Sequence, residues 1–466
     1  MGLTRVTITA PKHSRQVLLP RHHISLIGQR LSLHPNAPLI AVGLGVAGTI
    51  WFWWTRSTFD EANDWIVRGG LLAGLLCGYG LIVLVALMAR VPWLEHWVGS
   101  DRLSRWHAIG GRYTVSAGVL HTLVAIWGHA LQAHTGLPDE AWTLIFHAPD
   151  VLMATVAVLI LVGVGIASAR AARRRLSYET WHFIHFYTYL AIALSFAHVF
   201  AVGADFAHDL VARIAWSLLY GAVGALVLWY RFALPIINSW VHRLHVTEVR
   251  RESADVVSVY MSGRRLSDLN AEAGQFFRWR FLTRDLWWAA NPYSLSAAPT
   301  RNTLRITVKL VGSQTYSLTK LTPGVRVVAE GPYGSFTAGR QRRRKVLLIG
   351  AGVGITPLRS LLETLPGDPG SITLLYRASS TTDLVLRDEL DRLAERRGAR
   401  VLYLVGPRGE GGRDVLSARQ LLKIVPDLAR HDVFLCGPDA MANAAAASLR
   451  RVGIPRRHIH HESFSF

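Results

Sequence analysis

The stretch that decides the reading is Arg105–His121, RWHAIGGRYTVSAGVLH. It sets His107 and His121 in one apolar segment, about four helical turns and roughly 20 Å apart at about 1.5 Å per residue. A second apolar segment repeats the arrangement with His185 and His198 at nearly the same separation. An ionisable side chain inside a lipid-embedded helix is costly, so such residues start as functional-site hypotheses. A single one is accounted for by a hydrogen bond between helices. Four at matched depths point to ligation.

Outward from these segments, the first half is dominated by six apolar runs, centred on 38–54, 70–88, 103–130, 151–169, 181–202 and 210–234. Each is long enough, or nearly so, to cross about 30 Å of hydrocarbon as a helix. Arg90, Arg102 and Arg105 flank one side, as do Arg170, Arg173, Arg174 and Arg175; the opposite loops carry Asp60, Glu61, Asp64, Asp139, Glu140 and Asp205. The positive side faces the cytoplasm. Both termini are therefore expected there, in a bacterial plasma membrane.

The formal charge of +20 would suit a nucleic-acid binder, but much of the arginine borders apolar runs or lies in the basic tail of residues 1–36. Anionic lipid accounts for that placement, and no nucleic-acid partner is expected. Arg5, Lys12, Arg15 and Arg21 in the tail follow no signal-peptide pattern. Two cysteines, Cys77 and Cys436, are too few for an iron–sulfur cluster or a disulfide framework. No calcium-binding EF-hand loop is visible, and no accessory subunit is required by the sequence.

At about 100° per residue, His107, Gly111, Thr114, Gly118, His121 and Ala125 fall in one stripe, small wherever it is not histidine. A flat macrocycle needs that absence of bulk, and imidazole supplies the axial nitrogen a heme iron accepts; small stripes also serve close helix packing. His185 rather than His182 matches the depth of His107, so His107 is expected to pair with His185 near the cytoplasm and His121 with His198 further out. His129, His134, His147 and His208 fall at the outer rim. Arg112 either neutralises a heme propionate or snorkels to the interface.

After Trp240 the pattern changes to short strands such as Leu304–Lys309 and 325–329, then to βαβ-like patterning from Lys345, with a basic run at 341–345. The buried-strand pattern 346–349 runs into Gly350-Ala351-Gly352-Val353-Gly354-Ile355-Thr356-Pro357. Glycines there let the backbone approach a pyrophosphate, which the following helix N-terminus favours. The expected domains are 1–36, a tail; 37–240, a six-helix transmembrane heme domain; 241–340, a flavin domain; and 341–466, a nucleotide domain.

The chain resembles the ferric reductase and NADPH oxidase superfamily. The resemblance is carried by the four histidines, Gly274-Gln275-Phe276, Asn291-Pro292-Tyr293-Ser294-Leu295-Ser296, Gly312-Ser313-Gln314-Thr315, Gly331-Pro332-Tyr333-Gly334, Gly350 to Pro357, Cys436-Gly437-Pro438 and Phe466. It implies a multidomain fold: an all-α transmembrane heme domain, a β-barrel FAD domain and an α/β doubly wound NADPH-binding domain. It also implies that Tyr293, Ser294 and Ser296 hold the flavin, that Gly312, Ser313 and Thr315, with Lys309 nearby, face its diphosphate, and that the pyrophosphate of the nucleotide meets Gly350, Gly352, Gly354, Thr356 and Pro357. Asn291 departs from the family's usual Arg or His.

By the same resemblance Arg377 meets the adenosine ribose, where a guanidinium would favour the 2′-phosphate of NADPH over NADH through charge-assisted hydrogen bonds. Cys436, Gly437 and Pro438 lie beside the nicotinamide, Phe466 covers the flavin face, and Glu462 positions the nicotinamide or a proton. The implied activity passes electrons from NADPH through FAD and two b-type hemes to an outer acceptor. Dioxygen, giving superoxide, leads; a ferric chelate is the alternative, followed by an electron-transfer subunit serving a quinone or periplasmic partner. A proton-relaying transporter would carry no stoichiometric heme.

Overall fold

A computed structural model describes residues 7–8, 36–57, 59, 64–173, 175–176, 178–203, 206, 209–406 and 415–462. The chain forms two compact units: a helical one made of the described residues 36–91 and Ser100–Arg231, and a second containing residues 7–8, Pro92–Gly99 and the chain from Phe232 onward.

Six helices in the described residues are long and apolar enough to cross a membrane: Ala37–Arg56, Asp64–Leu87, Arg102–Ala133, Val151–Ser168, Thr180–Ala201 and Leu210–His242. Their order matches the six apolar runs. A shorter helix, Leu137–His147, lies between the third and fourth spans. The fifth is interrupted, with helices Tyr178–Phe186 and Thr188–Val202 meeting at Tyr187. In the sixth, Leu210–Val227 passes through a π-helical stretch, Leu228–Ala233, into Leu234–His242. Pro235 has no N–H to give the preceding turn, and the wider turn accommodates its ring. The last span starts cleanly because the Asp209 carboxylate accepts the Ala212 amide at 2.9 Å.

In the second unit the strands are β1 (Thr7–Ile8), β2 (His245–Ser253), β3 (Val256–Ser262), β4 (Phe276–Phe281), β5 (Asn291–Ser294), β6 (Thr303–Lys309), β7 (Val327–Tyr333), β8 (Lys345–Ala351), β9 (Ile372–Ala378), β10 (Arg400–Val405), β11 (His431–Cys436) and β12 (Ile459–Glu462). Two antiparallel sheets, ordered β2-β3-β6 and β5-β4-β7, share a core that includes Val259, Met261, Phe277, Trp279 and Ile306. The expected closed barrel is not seen. The sheets stay open, joined by isolated bridges, His245 with Arg326 and Leu295 with Ile306, and by single backbone bonds such as Val327 to Leu244. β5 is four residues long, and Pro292 within it lacks the N–H that would extend pairing.

The remaining strands form a parallel sheet, β10-β9-β8-β11-β12, with β1 added antiparallel on β10. Two residues of the tail thus join this sheet. Alternate strand residues feed opposite faces: Val346, Leu348, Leu374 and Phe434 pack in one core, while Leu347, Ile349, Leu375 and Leu435 pack in the other. Burial on both faces is the mark of a doubly wound sheet.

Asp432, fully buried at the start of β11, ties this sheet to the basic run before β8. Its carboxylate accepts the amides of Arg342 and Arg343, both at 2.6 Å, and the His458 imidazole at 2.7 Å, with His460 at 3.6 Å. Burial alone would raise its pKa, but the two amides and His458 hold it below the ordinary carboxylate range. Burial pushes His460 down to about 4, against the pull of Asp432. A lowered histidine pKa means the unfolded chain binds more protons below its own pKa of about 6.5. The contribution of His460 to stability is therefore full above about pH 6.5 and is lost on the way to about pH 4. His460→Gln should flatten the melting profile of this unit over that range; parallel profiles would contradict the assignment.

Candidate functional site

The helical unit brings the four histidines together in two pairs. The ring centres of His107 and His185 are 6.0 Å apart, and those of His121 and His198 are 6.4 Å apart, each pair inclined at 61°. Three of the rings are anchored through Nδ1 to a backbone carbonyl: His107 to Leu84 at 3.1 Å, His121 to Gly70 at 2.8 Å, and His198 to Asp150 at 3.4 Å. A carbonyl only accepts, so Nδ1 carries the proton and Nε2 keeps its lone pair. Fixing the far nitrogen in this way is how metal-ligating histidines are oriented.

Local structure supplies these acceptors. Leu84 lies in the last turn of its helix, where the Met88 amide bonds to Val85 instead, leaving a carbonyl without a helical partner. His121 reaches Gly70 because Gly74 has no side chain; a Cβ there would stand 2.8 Å from His121 Nδ1. His185 differs. Its Nδ1 has no hydrogen-bond partner, and the ring stacks on Trp181 with centres 5.1 Å apart. Trp181 is itself held by Ser168, at 3.2 Å, and lies under the Arg173 guanidinium.

These pairs fit a porphyrin iron. Two metal–nitrogen bonds of about 2 Å each, plus the half-width of each imidazole, set ring centres roughly 6 Å apart. Among the described residues no group of three or more His, Cys, Asp or Glu side chains could hold a metal ion. Each pair offers only two donors, which suits a metal whose other positions are filled by a macrocycle. The small stripe is a partial correction. Gly111 faces open space, but Gly118 abuts Cys77, Thr114 fills the space over Gly80, and the backbone of Ala125 lies against Gly70. Close packing on the second span accounts for those three. His129, His134, His147, His182 and Arg112 are exposed. Asp60, Glu61, Arg174, Asp205 and His208 lie outside the described residues.

In the second unit, Trp279 Nε1 donates to the Tyr293 carbonyl at 2.9 Å and fixes β5. Ser294 is buried, and burial raises the Tyr293 phenol pKa. Asn291 donates to Gln314 at 3.0 Å, joining β5 to the Gly312–Thr315 turn. Ser296, which the resemblance assigns to flavin binding, is fully buried, and its hydroxyl accepts from Arg305 Nε and Thr307, at 3.0 and 2.8 Å. The Thr315 hydroxyl accepts the amides of Val311 and Gly312, at 2.9 and 3.0 Å, and so shapes the turn that also holds Ser313. Lys309 pairs with Asp255 at 3.2 Å.

The glycine turn after β8 is built by close approach. Gly352, at φ +55°, faces open space, whereas a Cβ on Gly350 would meet Leu358 at 2.8 Å and one on Gly354 would overlap the Cys436 backbone. The Thr356 hydroxyl donates to Val353 at 2.9 Å, and Pro357 is buried in the first helical turn. Tyr376, fully buried, sets its hydroxyl 3.2 Å from the Gly352 carbonyl.

Arg377 donates to the carbonyls of Ala378 and, at 3.1 Å, Leu404, at the ends of β9 and β10. Cys436 lies in register between Gly350 and Glu462. Burial, then the Glu462 carboxylate, pushes its thiol pKa well up, which keeps it a neutral thiol rather than a thiolate. Gly437 has φ +155°, and Pro438 precedes the helix Asp439–Arg451. Glu462 Oε1 stands 3.6 Å from where a Cβ on Gly334 would be. Phe466 lies outside the described residues.

Sequence reasoning missed the carbonyls of Leu84, Gly70 and Asp150, Gly74, Trp181 and the partners of Ser296. Gly70 and Gly74, spaced one helical turn apart, were a usable signal for the second span.

Comparison with known proteins agrees with this division. Residues 73–196 match the ferric reductase like transmembrane component and residues 348–447 the oxidoreductase NAD-binding domain. The first match contains His107, His121 and His185 and stops just short of His198. A ferredoxin–NADP reductase B of Sorangium cellulosum is 33% identical over 189 residues, covering 37% of this chain and 77% of that protein. The ferredoxin reductase component of a 3-ketosteroid-9-alpha-monooxygenase of Rhodococcus rhodochrous is 29% identical, covering 48% of this chain and 64% of that protein. Among solved structures, the FAD/NAD-binding domain of a nitric oxide dioxygenase from Vibrio cholerae is 26% identical with a TM-score of 0.39, covering 48% of this chain and 98% of that one. A ferric reductase like transmembrane component is thus joined in one chain to an oxidoreductase NAD-binding domain, and the chain belongs to the ferric reductase and NADPH oxidase superfamily of integral membrane oxidoreductases.

Proposed function

We propose that the chain moves electrons from cytosolic NADPH through FAD and two b-type hemes to an acceptor on the outer face, with dioxygen, giving superoxide, as the leading acceptor. The observation that carries this reading is the facing of two imidazole pairs at 6.0 and 6.4 Å in a chain that also holds a reductase. When bound, FAD splits a hydride into single electrons and the hemes carry them one at a time.

This chain's residues do the holding. His107 with His185 and His121 with His198 would each hold one heme iron, and the hemes would supply one-electron transfer toward the outer face. Tyr293 and Ser294 hold the flavin. The Gly350–Gly354 turn and the helix start at Thr356 and Pro357 receive the pyrophosphate. Arg377, already at the strand ends, turns its guanidinium to the 2′-phosphate of NADPH. Glu462 and the buried Cys436 border the nicotinamide, and Phe466 gates the flavin face. The cytoplasmic placement of both termini and the domain limits 1–36, 37–240, 241–340 and 341–466 belong to the same reading.

Oxygen uptake and ferric-chelate reduction by purified protein, with and without superoxide dismutase, separate the acceptors. NADPH-driven oxygen uptake and dismutase-sensitive ferric reduction are expected. Dismutase-insensitive ferric reduction without oxygen uptake would move the assignment to a ferric reductase.

A further inference from the structure

Next to the strand that carries Tyr293 and Ser294 runs a circuit of two buried arginines and two partly buried carboxylates. Arg305, on β6, donates Nε and Nη2 to the hydroxyl and carbonyl of Ser296, at 3.0 and 2.6 Å, and Nη1 to both carboxylate oxygens of Glu389, at 3.1 and 3.0 Å. Glu389 lies on the helix Arg387–Arg397 and accepts Arg359 Nη2 at 2.6 Å. Arg359 stands on the helix Ile355–Thr364, directly after the glycine turn, and pairs with Glu363 at 2.5 Å. Glu363 in turn accepts the Ala298 amide at 2.9 Å, two residues on from Ser296. Both arginine side chains are nearly fully buried.

The circuit runs through β6 and the helix Arg387–Arg397, and through them it links the segment that follows Tyr293 and Ser294 to the helix that carries the nucleotide turn. Nothing in the core requires ions here. A buried ionic set adds little stability over apolar residues of like volume, while it fixes one geometry strictly. Hydride transfer is the step that depends on such a geometry, because displacement of the reacting atoms by about 1 Å costs orders of magnitude in rate.

We propose that Arg305, Glu389, Arg359 and Glu363 are positioning residues that set the spacing between the flavin strand and the nucleotide turn for hydride transfer. This rests on the reading that NADPH reduces FAD within this unit. The guanidinium planes and bidentate contacts make lysine a poor substitute.

The test is anaerobic stopped-flow reduction of the flavin in purified full-length protein, with FAD content, NADPH dissociation constant and the isotope effect from 4-deuterated NADPH measured alongside. In Glu389→Gln and Arg305→Lys the rate per bound FAD at saturating NADPH should fall by about tenfold or more, with nucleotide affinity held within about twofold and the isotope effect altered. Because a single change can unfold a buried network, the triple variant Arg305→Met, Arg359→Met, Glu389→Leu is included; it should melt near the parent and still reduce slowly. Parent-like rates per bound FAD in a folded triple variant would overturn the proposal, as a role in stability alone leaves that rate unchanged. A parent whose flavin accepts no hydride from either nucleotide would overturn the functional reading, and this inference with it.

Discussion

Alanine in place of His107, His185, His121 or His198 should stop electron delivery to the outer face while NADPH-driven reduction of the flavin continues. In the proposed function each iron would have two imidazole donors, and among the described residues no group of three or more ligating side chains occurs, so removing one imidazole would leave a single donor. Heme content should fall by about half in each variant, and outer-face reduction to below roughly one per cent, since losing one station opens a gap of about 20 Å between carriers. The site affected distinguishes the pairs: His107→Ala and His185→Ala should lose the same spectral component, and His121→Ala and His198→Ala the other. Pyridine hemochrome quantification with anaerobic NADPH reduction checks this. Full heme content in any of the four variants would remove that residue from the ligand set.

Gly354→Ala should be the most damaging single-methyl change in the nucleotide turn. The added Cβ would stand 2.6 Å from the carbonyl carbon of Cys436 and 2.7 Å from the Gly437 amide nitrogen. Both atoms are backbone, so neither swings aside as the end of a flexible side chain would. The glycine turn and the Cys436-Gly437-Pro438 segment must part, at an expected cost of about 3 kcal/mol in stability and about 100-fold in NADPH affinity. Gly352→Ala is the contrast: its Cβ meets open space, but φ is +55°, so it should cost the fold only the strain of a left-handed residue, about 1 kcal/mol. Melting curves and nucleotide titrations of the two variants give the order, and equal or reversed stability losses would contradict the packing described.

How far this was readable beforehand depended on whether the cause sits in a side chain. The four histidines stood out because charge in lipid is costly, and helical spacing alone proposed their pairing. The parallel sheet was legible from the buried strand before Gly350, since glycines in a fixed order admit few other turns. The acceptors for His107, His121 and His198 were not, because a backbone carbonyl has no letter of its own. Trp181 gave no signal in the sequence, although its ring stacks on His185, the one histidine of the four whose Nδ1 makes no hydrogen bond. Thr114 and Gly118 misled, because close helix packing and a macrocycle ask for the same small residues. The Arg305–Glu389 link joins positions more than 80 residues apart, beyond the reach of any local pattern, and it engages Ser296, which the resemblance had listed among the flavin-holding residues.

The most direct test is a reduced-minus-oxidised spectrum of the purified protein, with heme and FAD quantified on the same sample and NADPH as the only reductant. Two low-spin, six-coordinate b-type hemes for each FAD, both reduced through the flavin, are expected from two facing imidazole pairs. A preparation that holds FAD but no heme, or a single high-spin heme, would contradict it.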